Sequence, residues 1–258
     1  MRTFQLPNTP IIATHILFLI LVIFTLRLGL ETFSRTAEFS FPWLLLLILI
    51  LILSIAPQID FKNLQPMYAE GVKPIIRASV SFIGTPVLEL VAFLMIFPAI
   101  NRLQGSKTGF LAGFLFGGGI LLITSLLTVL VLGADLTGRS MYPSYELAKK
   151  INVGDFIQRV EALASFTWIL SIFIKLCICF YASAVCLTQT LQIKNDRSVI
   201  IPLAIILLIL SIIAYPNTAY YISFVNKSWP ALALIFGLFL PLLLLVLSMI
   251  KKKNVPKS

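Results

Sequence analysis

Two ionisable residues stand inside stretches of sequence that are otherwise apolar over a membrane's depth. Glu89 lies in SFIGTPVLELVAFLMIFP (residues 81–98) and Lys175 in WILSIFIKLCICFYA (residues 168–182). A charge at a helix centre costs about 2.5–3.5 kcal/mol on insertion scales, so each side chain should face protein or water and not lipid. Two chemistries are open to such a pair. The acid and the amine can form an inert interhelical salt bridge, or they can serve a ligand or proton site. The first does not preclude the second, because a pair can open when ligand arrives.

Gly84, Thr85 and Pro86 come just before Glu89. Proline removes a backbone donor, and both glycine and proline disfavour continuous helix. A helix break at membrane depth is tolerated where protein or a cavity satisfies the freed groups, and discontinuous helices build substrate sites in secondary transporters. The sequence therefore predicts a broken helix beside an intramembrane acid. Ser171 and Cys179 lie one turn either side of Lys175 and share its helical face.

Enzymatic chemistry finds no footing. The chain has one histidine, His15, and no His-Glu-x-x-His, Gly-x-Ser-x-Gly, phosphate-loop or dinucleotide motif. Cys177, Cys179 and Cys186 fall in one apolar run without a histidine at metal spacing, and they read as small residues packing between helices. We expect neither an enzyme nor a bound metal or cofactor.

The elements that must position these residues are membrane helices. Of 258 residues 59% are hydrophobic and 12% charged, about half the charge of a soluble domain. Uncharged runs of the length a bilayer requires recur along the chain. Seven spans are predicted, at 11–30, 43–55, 81–100, 110–132, 156–191, 199–214 and 230–250, giving an all-α polytopic membrane protein. The net charge of +10 points to orientation, not to nucleic acid, since no soluble face exists to display it. Lys251, Lys252, Lys253 and Lys257 place the C-terminus in the cytoplasm. Threading backwards puts Arg27 with Arg35, Arg102 with Lys107, and Lys194 with Arg197 inside as well. An odd number of spans leaves the N-terminus outside, as though upstream helices were missing.

Three polar or small-residue patterns complete the reading. Arg27, Glu31 and Arg35, at i, i+4 spacing, are expected to extend the first helix into the cytoplasm. Gly109, Gly113 and Gly117 form a small-residue stripe suited to close helix packing. YPSYELAKKINVGDFIQRVEA (residues 142–162) concentrates six charged residues. It predicts a solvated amphipathic helix over Ser144–Asn152 with a Glu146–Lys150 pair, followed by a capping box of Asp155 and Gln158.

This last passage, with LPNTP (6–10), RLGLETFSRTAE (27–38), IDFKNLQPMYAEGVKPI (59–75) and PVLELVAFLMIFP (86–98), resembles the GerAB-type spore germination permeases. These are the B subunits of nutrient germinant receptors, within the amino acid–polyamine–organocation superfamily. The resemblance runs in order along nearly the whole chain. It implies a LeuT-like fold of ten helices in two inverted repeats, of which this chain would hold the last seven, truncated at its N-terminus. Residues 1–56 would end the first repeat, 57–80 would form an outer amphipathic connection, 81–250 would be the second repeat, and 251–258 a basic tail. It further implies recognition of a small nutrient, such as an amino acid, within the spore inner membrane, and signalling to receptor A and C subunits. On that footing the ligand-binding set is Gly84, Thr85, Pro86, Glu89, Ser171, Lys175 and Cys179. The first three would offer backbone groups, Glu89 a gate or site acid, and Lys175 its electrostatic partner. A symporter of the same fold and a non-transporting scaffold remnant are the rival readings.

Overall fold

The computed structural model describes residues 10–65, 71–100, 103–150, 160–193, 195 and 197–253. The described residues are overwhelmingly helical and contain no strand. Six helices are long and apolar enough to cross a membrane, or seven if a sharply bent pair counts as one span. The chain is thus an all-α polytopic membrane protein. It divides into two compact units, residues 1–67 with 100–180, and residues 68–99 with 181–258.

In the first unit α1 (Ile11–Leu28) ends at Gly29, whose φ of 103° and ψ of 167° suit only glycine. The helix ends there and α2 (Leu30–Ile55) begins one residue on. The expected cytoplasmic extension of the first helix is therefore wrong. Glu31 and Arg35 pair at 2.9 Å in the opening turns of α2, not on α1. The i, i+4 spacing was read correctly, but the positive φ of Gly29 cuts the helix between Arg27 and Glu31. Both side chains of the pair are more than three-quarters exposed, so it contributes little stability.

Helix α3 (Leu103–Leu132) closes with a specific arrangement. The last carbonyls of any helix lack intrahelical donors. Here the carbonyl of Leu130 accepts from the Asp60 backbone N–H (3.2 Å) and from Asn63 Nδ2 (2.7 Å). Those donors sit in a tight 3-10 turn, Phe61–Leu64, capped by the Asp60 carboxylate on the Lys62 N–H. Two short helices follow, α4 (Ala134–Arg139) and α5 (Pro143–Lys149). Leu147 joins Ile55 and Leu127 in a small core, and Tyr145 and Ala148 are also buried. Tyr142 and Tyr145 both lie against Trp168, and Gln58 Nε2 donates to the Lys150 carbonyl at 2.8 Å.

The solvated-helix expectation is corrected accordingly. α5 is a packing element, because its apolar side has a core to fill; on its charged side Lys149 pairs with Glu146 at 3.3 Å (i, i+3) and lies over the Tyr145 ring at 4.9 Å. The expected Asp155–Gln158 capping box lies outside the described residues. Asn63→Ala should leave the Leu130 carbonyl with one donor and cost about 1 kcal/mol. That is about 2–4 °C in the thermal midpoint of the detergent-solubilised chain, measured by circular dichroism. An unchanged midpoint would show that this clamp adds nothing.

Helix α6 (Val160–Thr190) buries Ala164, Thr167, Cys177, Phe180, Ala184 and Thr188. Of the three cysteines only Cys177 is buried, while Cys179 and Cys186 are exposed, so the packing role expected for all three holds for one. The glycine stripe of α3 is likewise reassigned. A Cβ placed on Gly109, Gly113 or Gly117 would meet no described atom within 4 Å, because this half of the helix is exposed.

In the second unit α7 (Val72–Phe82) runs directly into a re-wound stretch. Helix α8 (Arg197–Ile213) turns through 102° into α9 (Thr218–Lys227). The elbow is built by the Asn217 side chain, which accepts from the Tyr220 N–H at 2.7 Å. An aromatic chain reinforces it, with Tyr215 against Tyr221 and Phe224, and Phe224 against Trp229. The last span comprises α10 (Trp229–Leu234), a π-helical turn (Ile235–Phe239) and α11 (Leu240–Lys253).

Candidate functional site

The third span does not come apart at Gly84–Pro86. It changes its winding. α7 gives way to a π-helical turn over Ile83–Val87, closed by the Leu88 N–H on the Ile83 carbonyl five residues back, and then to a 3-10 stretch over Leu88–Met95. The expected chain break is corrected to a continuous but re-wound helix. The cause is local. Pro86 has no N–H and its ring clashes with regular α winding, and one extra residue in the turn accommodates it. Wound this way, the span keeps its length across the bilayer, 24 residues from Val72 to Met95.

Gly84 is buried in the π turn. A Cβ there would lie 3.3 Å from Pro230 Cα and 3.8 Å from the Ala233 side chain, so α10 sits directly on its backbone. Thr85 and Pro86 are half-buried in the same turn. Glu89, also half-buried, opens the 3-10 stretch. Side chains three residues apart eclipse in this winding, which sets Glu89 in one row with Ala92 and Met95.

Ser171, Lys175 and Cys179 form one exposed face of α6. Ser171 Oγ donates to the Thr167 carbonyl at 2.7 Å, and Thr167 Oγ1 to Leu163 at 2.8 Å. These side-chain hydroxyls are thereby spent on their own helix. Lys175 is the ionisable group of this face. It lies about 20 Å along the helix from Ala162 and from Thr190, at 1.5 Å per residue, which is mid-span. Neither Glu89 nor Lys175 is without an interaction partner. The third-span group and the α6 group belong to different compact units.

Sequence reasoning missed the second π turn, Ile235–Phe239, closed by Leu240 N–H on Ile235 O. Its signal was present in the sequence: Gly237 stands between Pro230 and Pro241, as Gly84 stands next to Pro86. It also missed the indole of Trp229, whose Nε1 is buried without a hydrogen-bond partner. Among the described residues no group of three His, Cys, Asp or Glu side chains could hold a metal ion.

These features define an integral membrane protein with six or seven apolar spans and two ionisable groups at lipid depth, one of them on a re-wound helix. A family model described as "Spore germination protein" matches residues 1–219, and the chain belongs to that family. It is 30% identical to spore germination protein KB of Bacillus subtilis (strain 168) over 260 residues, covering 99% of this chain and 70% of that relative. It is 23% identical to spore germination protein XB of Bacillus anthracis, covering 99% and 71%. With the putative spore germination protein YfkT of Bacillus subtilis (strain 168) identity is 28%, covering 93% and 65%. No solved structure matches the chain significantly.

Proposed function

We propose that this chain is the permease-like B subunit of a germinant receptor. It recognises a small nutrient, an amino acid, inside the membrane and signals its presence to A and C subunits. The observation that carries this reading is the re-wound third span, which sets Thr85 and Glu89 beside an irregular backbone in a spore germination family member. Irregular winding at membrane depth is found where protein or water replaces lipid, and π turns concentrate at functional sites. In this reading the ligand-binding set is Gly84, Thr85, Pro86, Glu89, Ser171, Lys175 and Cys179. The spans correspond to the last seven of a LeuT-like fold, and the basic C-terminal end faces the cytoplasm.

The test uses the 258-residue chain reconstituted into proteoliposomes and offered radiolabelled L-amino acids one at a time. A sensor should bind at least one saturably and accumulate none against a gradient. Sustained accumulation would make the chain a symporter instead. Absence of saturable binding across the set would leave a scaffold and overturn nutrient recognition by this chain.

A further inference from the structure

The two π turns of the second unit are linked through their neighbours: the second packs on the 3-10 stretch that begins at Leu88, and the first packs on α10. Each spans five residues, Ile83–Val87 and Ile235–Phe239, and each is closed by an N–H reaching five residues back. Gly237 sits in the middle of the second turn, and a Cβ built on it would lie 2.7 Å from both the Cβ and the carbonyl oxygen of Leu88. Leu88 is the residue that closes the first turn and directly precedes Glu89. At the other end of the contact Gly84 admits Pro230, whose Cα would be 3.3 Å from a Cβ. Backbone therefore rests on backbone at two points, each made possible by a glycine on one of the two helices.

We propose that Gly237 is a positioning residue for Thr85 and Glu89, and that the two π turns keep or lose their winding together. Each helix is loosened by a proline. Pro86 lies within the first turn, and Pro241 lies four residues past Gly237, where its missing N–H leaves the Gly237 carbonyl without its α-helical donor. A loosened helix can take up its slack in several places, and close contact selects one. Leu88 cannot yield to a side chain at Gly237, because one of the two nearest atoms is its own carbonyl oxygen. Trimming the leucine side chain would not relieve that contact. Any rearrangement of residues 83–88 must therefore move residues 235–239. A ligand that rewinds the third span thus also rewinds the last.

The inference deepens the sensor reading and rests on it only for the identity of the trigger. Its test needs no ligand, so the two can fail separately. Hydrogen–deuterium exchange is followed by mass spectrometry on the full chain in lipid nanodiscs. Gly237→Ala should speed exchange across residues 83–95 by at least about tenfold, with peptides of α2 and α3 unchanged. Gly113→Ala, whose Cβ meets nothing, should change neither region. Gly84→Ala tests the coupling from the opposite side and should speed exchange across residues 229–239. This arm decides the matter if Gly237→Ala fails to accumulate. Faster exchange confined to the mutated helix, or spread evenly over both units, would overturn the coupling.

Discussion

Spores whose B subunit carries Lys175→Met should need at least about tenfold more nutrient to germinate, or fail to respond at all. The sign of the folding effect makes this informative. Lys175 lies mid-span on α6, on a face exposed in the isolated chain. A lysine there opposes insertion by about 2.5–3.5 kcal/mol, whereas methionine costs almost nothing. The variant should accumulate in the membrane as well as the parent or better. Loss of response would then reflect the missing ammonium and not a missing protein. Charge-assisted hydrogen bonds contribute about 1.5–3 kcal/mol each, and tenfold corresponds to about 1.4 kcal/mol. The shift in half-maximal concentration, read from the fall in optical density of the spore suspension beside an immunoblot, checks it. Normal sensitivity at normal abundance would remove Lys175 from the site.

Glu89→Gln should produce a shift of similar size by a different route. Glutamine keeps the length of the side chain and its place in the row with Ala92 and Met95, so packing of the 3-10 stretch is preserved. The carboxylate's charge is lost. A double-mutant cycle with Lys175→Met then separates the two roles left open by the sequence. If the groups act only on each other, the double variant should be no worse than either single one. If each meets a different part of the ligand, the losses should add, giving about a hundredfold. Glu89→Gln spores that respond like the parent would show that the acid is structural.

That the chain holds six or seven spans was legible because apolar length determines it. Where they start was not: the second, expected from 43, begins at Leu30, and the third, expected from 81, begins at Val72, inside the stretch expected as an outer connection. The charge alternation was legible too, but not which helix it belongs to. Glu31 and Arg35 look like a continuation of α1 at i, i+4 spacing, and only the backbone of Gly29 shows otherwise. The polar passage around Tyr145 misled for a related reason. Charge density suggested a solvated helix, while burial of Tyr145, Leu147 and Ala148 depends on partners such as Ile55, Leu127 and Trp168, far away in sequence. At the candidate site Gly84 and Pro86 announced an irregularity, but not its form, a π turn and not an open break, nor that Pro230 would sit on Gly84. Gly237 carried no charge to attract notice. Its importance lies in a backbone contact that no periodicity encodes.

The 102° elbow between α8 and α9 bears on which monolayer holds each end of these helices. α8 is about 26 Å long at 1.5 Å per residue, nearly the full hydrocarbon thickness. With α8 upright, α9 runs along the bilayer surface, where Tyr220, Tyr221 and Phe224 suit the headgroup zone. Were the last span to cross in the opposite sense to α8, the Arg197 end of α8 and the C-terminal end of α11 would share one leaflet, where anionic lipid would hold both.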